Sequence, residues 1–234
     1  MAAGEVSRAA RRVGVAAALV TALSVVAAIP LLVPARSGPF CLEDCVSYPY
    51  ADIARFWPGD YLWMWPAAIA PLALMVLGAA MIELAGPGRR VFAIAGFGFA
   101  TAAAATLGIA YLSQIEVVQP SLLAGETDGI ALLTQYNDHG LFIALEEFGY
   151  LMLAPAIAGI AMAPAPIGRA AALARWAGWI NLAAVLGSFV FITVTMGVAR
   201  SYRFEVVSIV TDWLALVVVG GALAWGLSRS RSRP

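Results

Sequence analysis

Six stretches of this chain are each long and apolar enough to cross a lipid bilayer, and nothing else in the sequence constrains the fold as much. They cover approximately 13–34, 61–84, 91–115, 141–163, 172–198 and 206–227. A hydrocarbon core about 30 Å thick is spanned by about 20 apolar residues of helix. A lone strand in lipid would leave its backbone N–H and C=O groups without partners, and the alternation of a barrel strand is missing from all six runs. The expectation is an all-α, polytopic transmembrane bundle of six helices forming a single integral membrane domain over 1–234. Composition agrees, with 62% hydrophobic and 12% charged residues against about 25% charged in an ordinary soluble domain. Turn chemistry separates the runs at Gly86-Pro87-Gly88 and Pro164-Ala165-Pro166.

The first run invites a second reading, because Arg8, Arg11 and Arg12 followed by apolar residues also describe a signal peptide, with Val33-Pro34-Ala35 as a cleavage-like site. Its apolar length of about 22 residues exceeds the roughly 7–15 of a signal h-region, so a retained first helix is expected.

Charge then orients the bundle. With both termini cytoplasmic, ten of the fourteen basic residues, all arginine, fall on the inner side, and Arg36, Arg55, Arg200 and Arg203 are left outside. Carboxylates run the other way, concentrated in outer loops 35–60 and 116–140. That asymmetry follows the positive-inside rule and predicts a multi-pass protein with both termini cytoplasmic; the membrane expected for it is a prokaryotic inner or plasma membrane. No basic stripe exists beyond the short tails, so no nucleic-acid partner is expected; the partners expected are the bilayer and a membrane protein or a second copy. Trp57, Tyr61, Trp63 and Trp65 gather where the second helix enters, and Trp176, Trp179 and Trp225 lie near inner ends, as in aromatic belts.

The outer loops hold the remaining punctuation. Cys41 and Cys45 are the only cysteines and are predicted to lie outside, where disulfides persist. A turn that brings their Cα atoms within about 4.4–6.8 Å permits a bridge; unpaired thiols and a redox or metal role are the alternatives. Two thiols fall short of the four ligands of a closed zinc site, and neither metal nor cofactor is expected. In the second loop Pro120 is expected to break the third helix, and Thr127 or Asp128 to cap a short helix near 129–136. With Ile130, Leu133 and Tyr136 on one stripe, it reads as a packed connector, with a lid as the alternative.

Candidate chemistry centres on "YNDHGLFIALEEFGY", residues 136–150, which contains the only histidine and two adjacent glutamates. At about 1.5 Å per residue, Glu146 and Glu147 lie about 9–11 Å along the fourth helix, in its outer quarter. Successive residues point 100° apart, so the two cannot share a direction. Glu146 falls on a stripe with His139, Ile143 and Tyr150, while Glu147 falls on a face of mostly small residues suited to close packing. Arg200, Arg203, Glu205 and Asp212 arrive at similar depth, with Asp60 at the mouth of the second helix and Asn181, Thr193 and Thr195 in reach. A buried carboxylate is costly unless paired. The expected arrangement is an outer-half polar cluster of Glu146, Glu147, His139, Tyr150, Arg200, Arg203 and Asp212, acting either as a ligand or proton site or as a packing clasp. Glu83, near Arg89 and Arg90, is expected to form a local salt bridge.

Three stretches, "YPYADIARFWPGDYLWMWPA", "QPSLLAGETDGIALLTQYNDHGLFIALEEFGYLM" and "RSYRFEVVSIVTDWLAL", resemble an uncharacterised family of small multi-pass membrane proteins of bacteria and archaea. The family pattern carries proline after the asparagine of the "N-x-H-G" turn, where this chain has Asp138. The resemblance implies the helix count and transfers no activity, cofactor or catalytic residue.

Three functions stay open. The leading expectation is a non-enzymatic accessory, sensor or assembly subunit. The alternative is an outward-facing protein that binds or transports a small molecule, lipid, proton or cation through the outer acidic cluster. An intramembrane hydrolase comes third and no catalytic residue is assigned: paired glutamates on a metal need histidines from other helices, His139 stands alone, and no "GxSxG" appears.

Overall fold

The computed structural model describes residues 3–165 and 168–229. Six long helices run through it: α1 (Ala3–Ala28), α2 (Met64–Leu84), α3 (Arg90–Ser113), α4 (Leu141–Met162), α5 (Arg169–Met196) and α6 (Arg203–Arg229). Among the described residues there is no strand, and six helices are long and apolar enough to cross a membrane. The fold is an all-α bundle of the multi-pass membrane type.

The helix ends depart from the apolar runs for local reasons. α1 begins well before residue 13 because its Ala-, Arg- and Glu-rich opening favours helix whether or not it is greasy, and it gives way at Ile29–Leu31, where Pro30 enters a 3-10 turn. Pro120 does not break the third helix. A π-helical turn at Gln114–Val118 shifts the hydrogen-bond ladder, so Pro120 falls in the first turn of a further helical segment, Gln119–Leu123, where a missing N–H is tolerated. The short helix expected near 129–136 shrinks to one turn, Ile130–Leu133. Its start is set by Gly129 in the left-handed region (φ 77°), with no side-chain cap from Thr127 or Asp128.

Around the bundle, α1 packs on α2, α2 on α3, α3 on α4, α4 on α6, and α6 back on α1; α5 lies against α4 and α6. Along α5, Ile180, Val190, Phe191 and Val194 are exposed, as a lipid-facing surface would be. The half of the bundle nearer the termini is closed by small residues. A Cβ on Gly159 would stand 2.8 Å from the Phe92 carbonyl oxygen and 2.9 Å from the Gly96 Cα, so α3 and α4 touch backbone to backbone there. α1 and α6 meet the same way, with Gly220 against the Ala18 carbonyl.

At the opposite end the connecting segments pack on one another. The Ser37 hydroxyl donates to the Tyr136 carbonyl and lies 2.6 Å from the Tyr202 hydroxyl, so the segments after α1, before α4 and before α6 meet at one point. Cys41 and Cys45 stand at disulfide distance, their Cα atoms 5.9 Å apart. Tyr61 and Trp63 are not belt residues: the 3-10 turn at Gly59–Tyr61 turns both inward, and Trp63 packs edge-on against Tyr111 at 5.3 Å. Trp57, Trp65, Trp176, Trp179 and Trp225 are exposed. Near the termini, Arg89 Nη1 donates to the Met162 carbonyl (3.0 Å) rather than to Glu83, because the turn into α3 carries it toward the C-terminal end of α4.

Candidate functional site: a carboxyl-lined cavity at the loop end

The loop end cannot close as the other end does, because its helices carry large and polar side chains where the half nearer the termini has glycine and alanine. A cavity of about 340 Å³ remains between the segment following α1 and the first turns of α4 and α6. Its wall is mostly apolar and aromatic, with Trp63, Tyr136 and Tyr202 among the lining, and it presents two carboxyl groups, Glu146 from α4 and Glu205 from α6.

Glu146 is wholly buried, and neither carboxyl oxygen has a hydrogen-bond partner. Its ionisable neighbours include Glu205, Tyr111 and Tyr150, and among the described residues no arginine is bonded to it. Arg36 is the arginine in the cavity wall, and it is already engaged. Its Nε donates to Asp60 Oδ2 at 3.1 Å, its Nη1 lies 3.6 Å from Asp44, and the guanidinium stacks on Phe56 at 4.5 Å. The hydrogen bond to Asp60, opposed by burial and reinforced by the charges of Asp60 and Asp44, keeps Arg36 above even its ordinary high pKa. Tyr136 donates to the same Asp60 oxygen at 3.1 Å. Burial first, then the neighbouring Tyr61 and Asp60, push its phenol well up, so it stays a donor at every physiological pH. Burial likewise raises Tyr202, opposed by its hydrogen bond with Ser37.

The cluster expected from sequence divides into separate arrangements. Glu147 pairs with Arg200, which also donates to the Thr193 hydroxyl at 3.2 Å and stacks over Phe189; that is a clasp between α4 and the end of α5. Arg203 does not join it, since its Nη1 donates to the carbonyls of Ala199 and Arg200. His139 stands apart as well, exposed beyond the end of α4 with its Nδ1 2.9 Å from Asp138. The helical stripe through Glu146 stops at Gly140, the N-cap in extended conformation, so the i−7 register that aligned His139 with Glu146 does not exist. Tyr150 is buried, shares a hydrogen bond with Tyr111 (2.8 Å) and accepts one from Trp213 Nε1 (3.2 Å). Asp212 lies deeper on α6, where Oδ1 accepts from Asn181 Nδ2 at 2.7 Å and Oδ2 is unpartnered. Thr195 bonds only to its own helix backbone.

Sequence reasoning placed Glu205 and Asp60 at the depth of the two glutamates as possible partners but did not include them in the cluster. The signal for Glu205 was present: Glu205 and Asp212 are seven apart and share one face of α6. Tyr111, Arg36, Tyr136 and Tyr202 had no such signal, because they arrive from separate helices and loops. Among the described residues, no three His, Cys, Asp or Glu side chains converge.

The arrangement is an apolar and aromatic pocket with two carboxyl groups and no free counter-charge, within an α-helical bundle of the multi-pass type. Comparison with family models, curated proteins and solved structures finds no match for this chain.

Proposed function

We propose that the protein is an outward-facing binding or carrier protein for a small lipophilic cation, taken up in the loop-end cavity with Glu146 as its carboxyl counter-group and Glu205 beside it. One observation carries this reading: Glu146 lines the cavity and is buried with both oxygens unpartnered. A carboxyl group kept without a partner in a low-dielectric setting costs the fold several kcal/mol, and an arriving cation offsets that cost. The adjacent Glu147, already paired with Arg200, shows what a clasp in the same helix turn looks like, and Glu146 does not share it. Aromatic walls suit an organic cation through their ring faces, and about 340 Å³ sits at the small end of ligand pockets, enough for a fragment-sized amine. The arginine asymmetry supports cytoplasmic termini with the cavity on the outer side, and a Cys41–Cys45 bridge stiffens the loop that carries Asp44 to Arg36.

The test is equilibrium binding of benzyltrimethylammonium to the purified protein in lipid nanodiscs. Glu146→Gln is expected to weaken binding about 30–100-fold, the equivalent of about 2–3 kcal/mol for a charge-assisted contact. Equal affinity in wild type and Glu146→Gln would sink the proposal and return the accessory-subunit reading.

A further inference from the structure

Below the cavity a second carboxyl group lies buried where the proposed ligand does not reach. Asp212 is about 10 Å further along α6 than Glu205, at 1.5 Å per residue. It is wholly buried; Asn181 of α5 satisfies one oxygen, and Asp212 Oδ2 and Asn181 Oδ1 both lack partners. Tyr150 of α4 is close enough to feel the charges of both Asp212 and Glu146 and is hydrogen-bonded to neither. α3 brings Tyr111, which shares a hydrogen bond with Tyr150 and lies against Glu146. α1, packed on the other side of α6, carries no ionisable residue between Arg12 and its end at Ala28. On α6 itself the nearest ionisable group is Glu205, and Arg200 is committed to Glu147. No arginine is bonded to Asp212.

Resting on the reading of the cavity above, we propose that Asp212 and Asn181 form a second, deeper proton-binding site, connected to Glu146 through the Tyr111–Tyr150 hydroxyl pair. The choice of partners carries the argument. An arginine only donates, so it holds a carboxylate in its charged form, as Arg200 does for Glu147. An asparagine amide presents a donor and an acceptor on one rotor, so Asn181 matches an ionised Asp212 through its NH₂ and a protonated one through its oxygen after a flip. The tyrosine hydroxyls are equally two-way, and either one can be the donor in their 2.8 Å contact. Tyr111, Tyr150 and Asn181 can thus each donate and accept a hydrogen bond, whereas the clasp beside them has one fixed polarity. A metal ion fits less well, because the orphaned oxygens here are two and a hard cation takes six or more.

The structure holds the central Tyr111–Tyr150 hydrogen bond but leaves the Glu146 oxygens and Asp212 Oδ2 unbonded, so transfer follows a rotation that closes both end contacts. A proton on Glu146 then passes to the Tyr111 oxygen as the Tyr111 proton passes to Tyr150 and the Tyr150 proton to Asp212. Both hydroxyls end neutral, Glu146 ends as a carboxylate and Asp212 as the acid, so charge and proton number balance. A cation bound at Glu146 favours its carboxylate and so drives the proton inward, which couples ligand arrival to protonation of Asp212.

Infrared difference spectroscopy of the protein in nanodiscs, with pH titration and exchange into D₂O, tests this. Wild type is expected to show protonated-carboxyl absorption of which one component vanishes in Asp212→Asn and survives in Glu146→Gln. Asn181→Leu should shift that component's frequency. Tyr111→Phe/Tyr150→Phe should keep the component but slow its deuterium exchange at least 10-fold. An unchanged carboxyl region in Asp212→Asn, or unchanged exchange in the tyrosine double variant, overturns the proposal. Should Asp212→Asn fail to fold, the Asn181→Leu spectrum decides, and an unshifted band overturns it. Loss of the cavity reading has its own signature: benzyltrimethylammonium fails to bind wild type while the Asp212 component is present and titrates.

Discussion

The two halves of this bundle are built on opposite principles. Toward the termini, helices approach until backbone meets backbone: Gly159 lies on Phe92 and Gly96, and Gly220 on Ala18, with no polar side chain between them. Toward the loops, Trp63, Phe142, Glu146 and Tyr202 hold the helices apart, and the space they leave is the cavity. Small residues gain van der Waals contact that lipid cannot supply, so that half is the structural anchor. The loop half gives up such contact and holds buried carboxyl groups instead. The lesson is that close packing and the candidate chemistry are segregated along the bundle axis.

The contrast can be broken most forcefully at its anchor. Gly159→Val places side-chain carbons where the Phe92 carbonyl and Gly96 already stand, and neither is a flexible side-chain end. A loss of about 3 kcal/mol or more is expected, read as a lower unfolding midpoint in mild detergent. A cost no larger than that of Gly98→Val, at an open position, would show that the inner half is not the anchor. Within the outer half the two adjacent glutamates should diverge. Removing the clasp with Arg200→Gln strands Glu147 and is expected to cost about 2 kcal/mol in the same assay. Glu146→Met should instead be neutral or stabilising by about 1 kcal/mol, because it exchanges an unpartnered carboxyl for a side chain that packs. A marked loss there would make Glu146 a packing residue after all.

The smallest effect concerns pH. Burial holds the Tyr136 phenol above its ordinary value, whereas the unfolded chain releases that proton near the usual tyrosine pKa of about 10. Above that pH the unfolded state binds fewer protons than the folded one, so stability complete below about pH 10 falls as pH rises past it. Tyr136→Phe should flatten part of that alkaline loss, and should cost about 1 kcal/mol at neutral pH through the lost hydrogen bond to Asp60. An unchanged alkaline slope would place the buried phenol's titration elsewhere.

How much was legible depended on the range of the interaction. Apolar length alone set six helices and their order, since lipid leaves a backbone no alternative. The shallow position of Glu146 and Glu147, and the fact that they diverge, followed from the helical step. Pro120 misled because a π turn absorbs it, a feature with no pattern in the residues themselves. His139 misled because helical spacing was extended past Gly140, where the helix ends.

By itself, then, the sequence determined each residue's direction relative to its own helix, how far along that helix it lies, and that the chain is a helical bundle of membrane type. Only the tertiary structure decided how each helix is rotated against its neighbours. That rotation gives Arg200 to Glu147 and none to Glu146, sets Glu205 opposite Glu146, and hands Asp212 to Asn181. The physical reason is that a helix's periodicity defines angles about its own axis, while the partner across an interface is chosen by the packing of the whole bundle.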